Sequence, residues 1–123
     1  MVSRSLRAWF VVHFWADMLF GVPLLVAPGT LMGLFGWTVV DPFTARLVGA
    51  ALLGIGGVSL LARDAGVETY RALLGLKMIW SAAAVAGMVL TLAQGGAPPA
   101  GWLFVGIFSG FFGVWAYHRA RLR

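Results

Sequence analysis

Residues 70–93 read YRALLGLKMIWSAAAVAGMVLTLA, and this stretch decides the fold. As a helix rising about 1.5 Å per residue it would span about 36 Å, against a hydrocarbon core of about 30 Å. Past Arg71 its only charge is Lys77, roughly 10 Å inside the helix. A lone lysine at the centre of a membrane helix costs about 2.5–3.5 kcal/mol on insertion scales. The reading therefore requires a membrane span and a group elsewhere that answers Lys77.

Composition supports lipid as the solvent. The 123 residues are 61% hydrophobic and 11% charged, and a domain of this size leaves too much surface exposed to hide that apolar content from water. The net charge of +5 comes from basic residues lying between the apolar runs. That placement suits an anionic membrane surface, whereas nucleic-acid binding requires a basic face or stripe. The absence of cysteine excludes disulfides and thiolate-held metal or iron–sulfur centres.

Three further runs extend this reading. Residues 8–27 (AWFVVHFWADMLFGVPLLVA) are predicted to form a retained signal-anchor helix. The run exceeds the apolar segment of a secretory signal, Asp17 interrupts it, and Pro28 follows the one plausible cleavage position at Ala27. Residues 28–41 connect it to the next span, with a short interfacial helix over about 30–35 capped by Thr30. Asp41 as N-cap and Pro42 at the first helical position open a second span over about 43–62. Residues 63–69 (RDAGVET) form a polar turn in which Gly66 is available as a C-terminal cap. Residues 94–99 (QGGAPP) form another turn, and a fourth span follows over about 100–117. Small residues recur on the helix faces. Ala45, Gly49 and Gly56 share one stripe, Ala50, Gly54 and Gly57 a neighbouring one, and Gly106 and Gly110 stand at GxxxG spacing.

The predicted fold is an all-α polytopic membrane protein, a single domain over residues 1–123 forming a four-transmembrane-helix bundle. Arg4, Arg7, Arg63, Arg71, Arg119, Arg121 and Arg123, seven of the nine basic residues, fall on one side of that arrangement. The positive-inside rule then puts the N and C termini in the cytoplasm and the protein in the inner (plasma) membrane as a multi-pass chain. Trp9, Tyr70, Trp115 and Tyr117 fall near the same interface, and Trp37 and Trp102 near the other.

Few polar groups lie inside the spans. Asp17, about 14 Å into the first helix, reaches a depth close to that of Lys77, and His13 stands one turn from Asp17 on the same face. Ser81 lies one turn beyond Lys77, Trp80 three residues beyond it, and Ser109 enters at similar depth from the fourth helix. These residues define a candidate binding cluster of His13, Asp17, Lys77, Ser81, Ser109 and Trp80. Its structural counterpart is an ion pair fixing the rotation of the first and third helices. Arg46 reads as a snorkelling cation, with an anion or headgroup site beside Thr44 as the alternative. His118 reads as facing water or headgroups among the tail arginines, and Trp15 and Trp80 as core. Two distant histidines with one nearby acid make no metal site, and no cofactor-binding motif is present.

The run DPFTARLVGAALLGIGGVSLLAR, the LKMIW segment and the ending WAYHRARLR resemble small bacterial four-helix membrane proteins of the DoxX-like group. The resemblance implies an inner-membrane four-helix bundle and carries no catalytic residue. Small multidrug transporters are similar in size and in having an acid in the first helix. This chain departs from them in using Asp17 where they use glutamate, and in adding Lys77. Three function classes follow. The leading one is a non-enzymatic packing or accessory module of a homo-oligomer or larger membrane complex. The second is a small transporter or a protein that binds a lipophilic small molecule through His13, Asp17 and Lys77. The third is a membrane-embedded enzyme on a lipid or isoprenoid, with His13 and Asp17 as acid and base. The lean is away from an enzyme, with the lipid bilayer as partner and no nucleic acid.

Overall fold

A computed structural model describes residues 1–123, which form five helices and no strand: α1 (Arg4–Val26), α2 (Pro28–Leu34), α3 (Pro42–Leu61), α4 (Val67–Ala93) and α5 (Gly101–Arg121). Three of them, α1, α3 and α4, are long and apolar enough to cross a membrane. Helix α5 has the length but falls short in mean hydropathy, because glycines, tryptophans and the polar turn His118–Arg121 dilute its apolar residues. Only 17–28% of the residues in the most apolar stretches of α1, α3 and α4 are buried within the protein. Leu19, Phe43, Leu47, Leu61, Ile79 and Leu90 all stand exposed. Water would penalise such a surface heavily, whereas hydrocarbon does not.

Local chemistry sets the helix ends. Ser3 caps α1, its hydroxyl accepting from the Leu6 N–H at 3.0 Å. Asp41 caps α3 as its sequence position suggests, accepting from the Phe43 and Thr44 N–H groups at 3.2 and 3.3 Å and from the Thr44 hydroxyl. The Thr44 hydroxyl is the main reason that the Asp41 carboxyl is held below its ordinary value. Two caps differ from expectation. Helix α2 starts at Pro28 rather than at a Thr30 cap, since proline preorganises the first helical position and needs no N–H partner. Helix α3 closes through Ala62, whose N–H donates to the Val58 and Leu60 carbonyls, and Gly66 is not left-handed.

The left-handed glycines are instead Gly36 (φ 102°) and Gly95 (φ 74°). Each closes the preceding helix with paired bonds. Trp37 N–H donates to Met32 O and Gly36 N–H to Gly33 O, both at 3.1 Å; Gly96 N–H donates to Thr91 O at 3.0 Å and Gly95 N–H to Leu92 O at 3.1 Å. This is the Schellman arrangement, which requires the αL conformation that glycine adopts without strain.

The chain divides into two compact units, Val2–Gly66 and Val67–Arg123 with Met1. In the first, α1 and α3 run antiparallel. Arg7 donates through Nη1 to the Arg63 and Ala65 carbonyls at 2.6 and 3.0 Å, Asp17 meets Gly56, Gly21 meets Gly49, and Arg46 reaches Leu25. In the second, α4 and α5 are antiparallel, with Lys77 against Trp115, Trp80 against Phe108 and Leu92 against Gly101. The buried residues of α1 are Leu6, Phe10, His13, Asp17, Gly21 and Leu24; those of α3 are Gly49, Leu52, Gly56 and Ser59; those of α4 are Tyr70, Leu74, Lys77 and Ser81. Steps of three and four place each set on one narrow seam, as in coiled-coil packing.

Candidate functional site

Buried polar groups occur in both units, and each group follows from its seam. In the first unit His13 and Asp17 occupy seam positions of α1, 5% and 6% exposed. One helical turn brings His13 Nε2 to 3.3 Å from Asp17 Oδ1. Helix α3 passes close by because residue 56 is glycine. A Cβ there would lie 2.6 Å from the Cβ of Asp17 and 3.1 Å from its Oδ2. The acid is thus pressed against the backbone of α3. Ser59, three residues on and fully buried, donates to the Ile55 carbonyl at 2.8 Å. The sequence reading missed Ser59, although it continues the spacing of Gly49, Leu52 and Gly56.

In the second unit Lys77 is 1% exposed, with Nζ 4.8 Å from the ring centroid of Trp115. A desolvated ammonium over an indole face gains about 2 kcal/mol, a substantial share of the insertion cost of the charge. Trp115 is stacked on Phe111 one turn earlier, with centroids 5.6 Å apart and planes 19° from parallel. Ser81 is buried beside Lys77, and its hydroxyl donates to the Lys77 carbonyl at 2.7 Å. That bond satisfies the hydroxyl within its own helix.

His13 and Asp17 are therefore brought together, as are Lys77 and Ser81, and the two pairs belong to different units. Trp80 is half-buried against Phe108, with centroids 6.3 Å apart. Ser109 is exposed on α5, off the buried seam. Arg46 is exposed, and its Nε donates to the Leu25 carbonyl at 2.9 Å. That carbonyl lies in the last turn of α1, where helical partners run out, so Arg46 acts as a tertiary cap. The start of α3 beside it already holds the Asp41 carboxylate, which disfavours an anion at that helix end.

Several aromatic and histidine positions depart from expectation. Trp115 and Tyr70, read as interfacial, are fully buried, and His118, read as facing water or headgroups, is buried too. Trp15, read as core, is 65% exposed. Trp115 and His118 are three apart and share one face of α5. No cluster of histidine and carboxylate side chains suited to a metal ion is present. Comparison with protein-family models, with curated proteins and with solved structures finds no match, so the site is read from its own geometry.

Proposed function

We propose that this chain is a small multi-pass inner-membrane protein whose four long helices all span, with both termini cytoplasmic, and that it works as a non-enzymatic packing module. It assembles either with further copies of itself or within a larger membrane complex. The spanning of α5 is supported by its 21-residue length and its antiparallel pairing with α4. The orientation is supported by the basic residues: Arg4, Arg7 and Arg63 share one end of the α1/α3 pair, and Arg71, Arg119 and Arg121 one end of the α4/α5 pair.

One observation carries the packing role. At Gly106, Gly110 and Gly113 of α5, and at Gly87 of α4, an added Cβ would meet nothing within 4 Å. Alanines 82, 83 and 86 of α4 are exposed as well. Small residues in a membrane helix let another helix approach its backbone, and these positions receive no such neighbour within the chain. Native mass spectrometry from lipid nanodiscs tests the reading. The expected result is a defined oligomer or a stoichiometric protein partner that Gly106→Leu with Gly110→Leu dissociates. A lone monomer carrying a lipophile would overturn it.

The burial of His13, Asp17 and Lys77 favours a second reading, a small transporter or lipophile-binding protein in which the His13–Asp17 pair exchanges a proton. Proton-coupled uptake into liposomes that survives Asp17→Asn would count against it.

A further inference from the structure

We propose that the basic end of the α4/α5 pair is a binding surface for anionic phospholipid headgroups, with Arg121 and Tyr117 as its ordered element. The inference rests on the membrane-spanning reading above and adds the lipid that the protein selects.

This end carries Arg71, Arg119, Arg121 and Arg123, while the opposite end of the same pair, residues 94–101, carries no charge at all. The one acid on α4, Glu68, is bound to Arg71, with Nη1 and Oε1 2.5 Å apart. Helix α5 and the residues after it contain no acid, and Arg119, Arg121 and Arg123 make no ion pair. Cations in a last helical turn complement the helix dipole. That effect accounts for their position but leaves three guanidinium groups with no carboxylate side chain on α5 or after it.

Arg121 is positioned more closely than the others. Its Cζ lies 5.3 Å from the ring centroid of Tyr117, one turn earlier, and Tyr117 is 57% exposed. A guanidinium held over an aromatic face keeps its edge N–H groups available for a bidentate phosphate. A tyrosine with an apolar body and polar tip belongs at headgroup level. An acidic protein segment would satisfy the charge but would not explain an exposed ring at the boundary with the apolar run of α5. Phospholipid supplies both the anion and the amphipathic boundary.

The full chain would be placed in nanodiscs of equimolar phosphatidylglycerol and phosphatidylcholine, released in mild detergent, and its retained lipids counted by native mass spectrometry. Phosphatidylglycerol is expected in excess. Arg121→Gln should lower that excess about fivefold, the effect of one basic residue near an anionic surface, and Arg119→Gln with Arg121→Gln should lower it further. Arg121→Lys should keep most of the charge effect while losing the bidentate part. Equal retention of the two lipids, or an excess that the double variant leaves intact, overturns the proposal. Displacement of the lipid by inorganic phosphate overturns it in favour of a soluble anion, and displacement by an acidic peptide in favour of a protein partner. Flotation with vesicles of phosphatidylcholine alone separates the two readings: failure to float removes both, whereas unselective retention by floated protein removes only the lipid preference.

Discussion

In the α1/α3 pair the closest helix approaches occur at Gly21, Gly49 and Gly56, where a Cβ would meet a neighbouring atom at 2.7, 2.9 and 2.6 Å. In the α4/α5 pair the large buried side chains are Tyr70, Leu74, Lys77 and Trp115, a single glycine, Gly101, is pressed against Leu92 with a Cβ 2.9 Å from its Cδ2, and glycines 106, 110 and 113 face open space. Three glycines let the helices of the first pair come close, whereas across the second Lys77 lies against Trp115 and Trp80 against Phe108. Glycine thus has two roles, and both occur in each half: Gly54 and Gly57 of α3 face open space as well, and Gly101 of α5 is a close contact. A glycine at a seam fixes how near a helix of the same chain can come, whereas a glycine on an outer face leaves room for a helix from elsewhere.

The contrast can be broken first at Trp115. Trp115→Ala removes the ring against which Lys77 lies and opens a cavity in the second pair, and a loss of about 3–5 kcal/mol is expected in reversible unfolding in mixed micelles. Trp15→Ala, at an exposed position, should shift stability by less than about 0.5 kcal/mol in the same assay. Equal losses at the two tryptophans would mean that side-chain filling does not hold the second pair.

A smaller effect is expected from adding one methyl group to the first pair. Gly49→Ala places a Cβ 2.9 Å from the Gly21 carbonyl oxygen and 3.1 Å from the Leu25 nitrogen. Backbone atoms cannot swing aside, so overpacking of about 1–3 kcal/mol is expected. Gly56→Ala meets Asp17 and should cost a similar amount, read as a lower midpoint of thermal unfolding. Gly110→Ala, with nothing within 4 Å, is the matched control and should leave the monomer within about 0.5 kcal/mol of the parent chain. A destabilisation at Gly110 equal to that at Gly49 would erase the distinction between seam and outer face.

The smallest effect sharpens the comparison at a helix end. Asp41 caps α3 and its carboxyl is held below its ordinary value, first by the Thr44 hydroxyl. A lowered folded-state value means that the cap stabilises above the ordinary carboxyl range, near pH 4, and that the contribution disappears as pH falls through the lowered value. Thermal unfolding followed from pH 7 to pH 2 should show an acid-dependent decline that Thr44→Val reduces and Asp41→Asn abolishes. A decline unchanged in Asp41→Asn would assign it to another carboxyl.

Much of the fold is legible in the residues because the bilayer imposes it. Apolar runs of 20 or so residues must be helical to satisfy their backbone, and Asp41–Pro42 marks the start of α3 as a cap and first-position proline should. The Schellman glycines were harder to find. Gly95 is followed directly by Gly96, and Gly36 stands three residues from Gly33 of α2, so only the pattern of carbonyl partners separates them. The proximity of His13 to Asp17 followed from spacing alone, since residues four apart in a helix are neighbours whatever surrounds them.

The sequence by itself determined an all-helical chain with apolar runs of membrane-crossing length, the neighbours along each helix, and the clustering of arginines in particular segments. Only the tertiary structure decided which glycines meet a backbone and which face outward, that Trp115 turns inward over Lys77, and that Arg46 caps α1. The physical reason is that helix period and hydropathy are properties of one segment, whereas which way a face points depends on the helix beside it. Glycine, tryptophan and arginine are each compatible with either side of that choice.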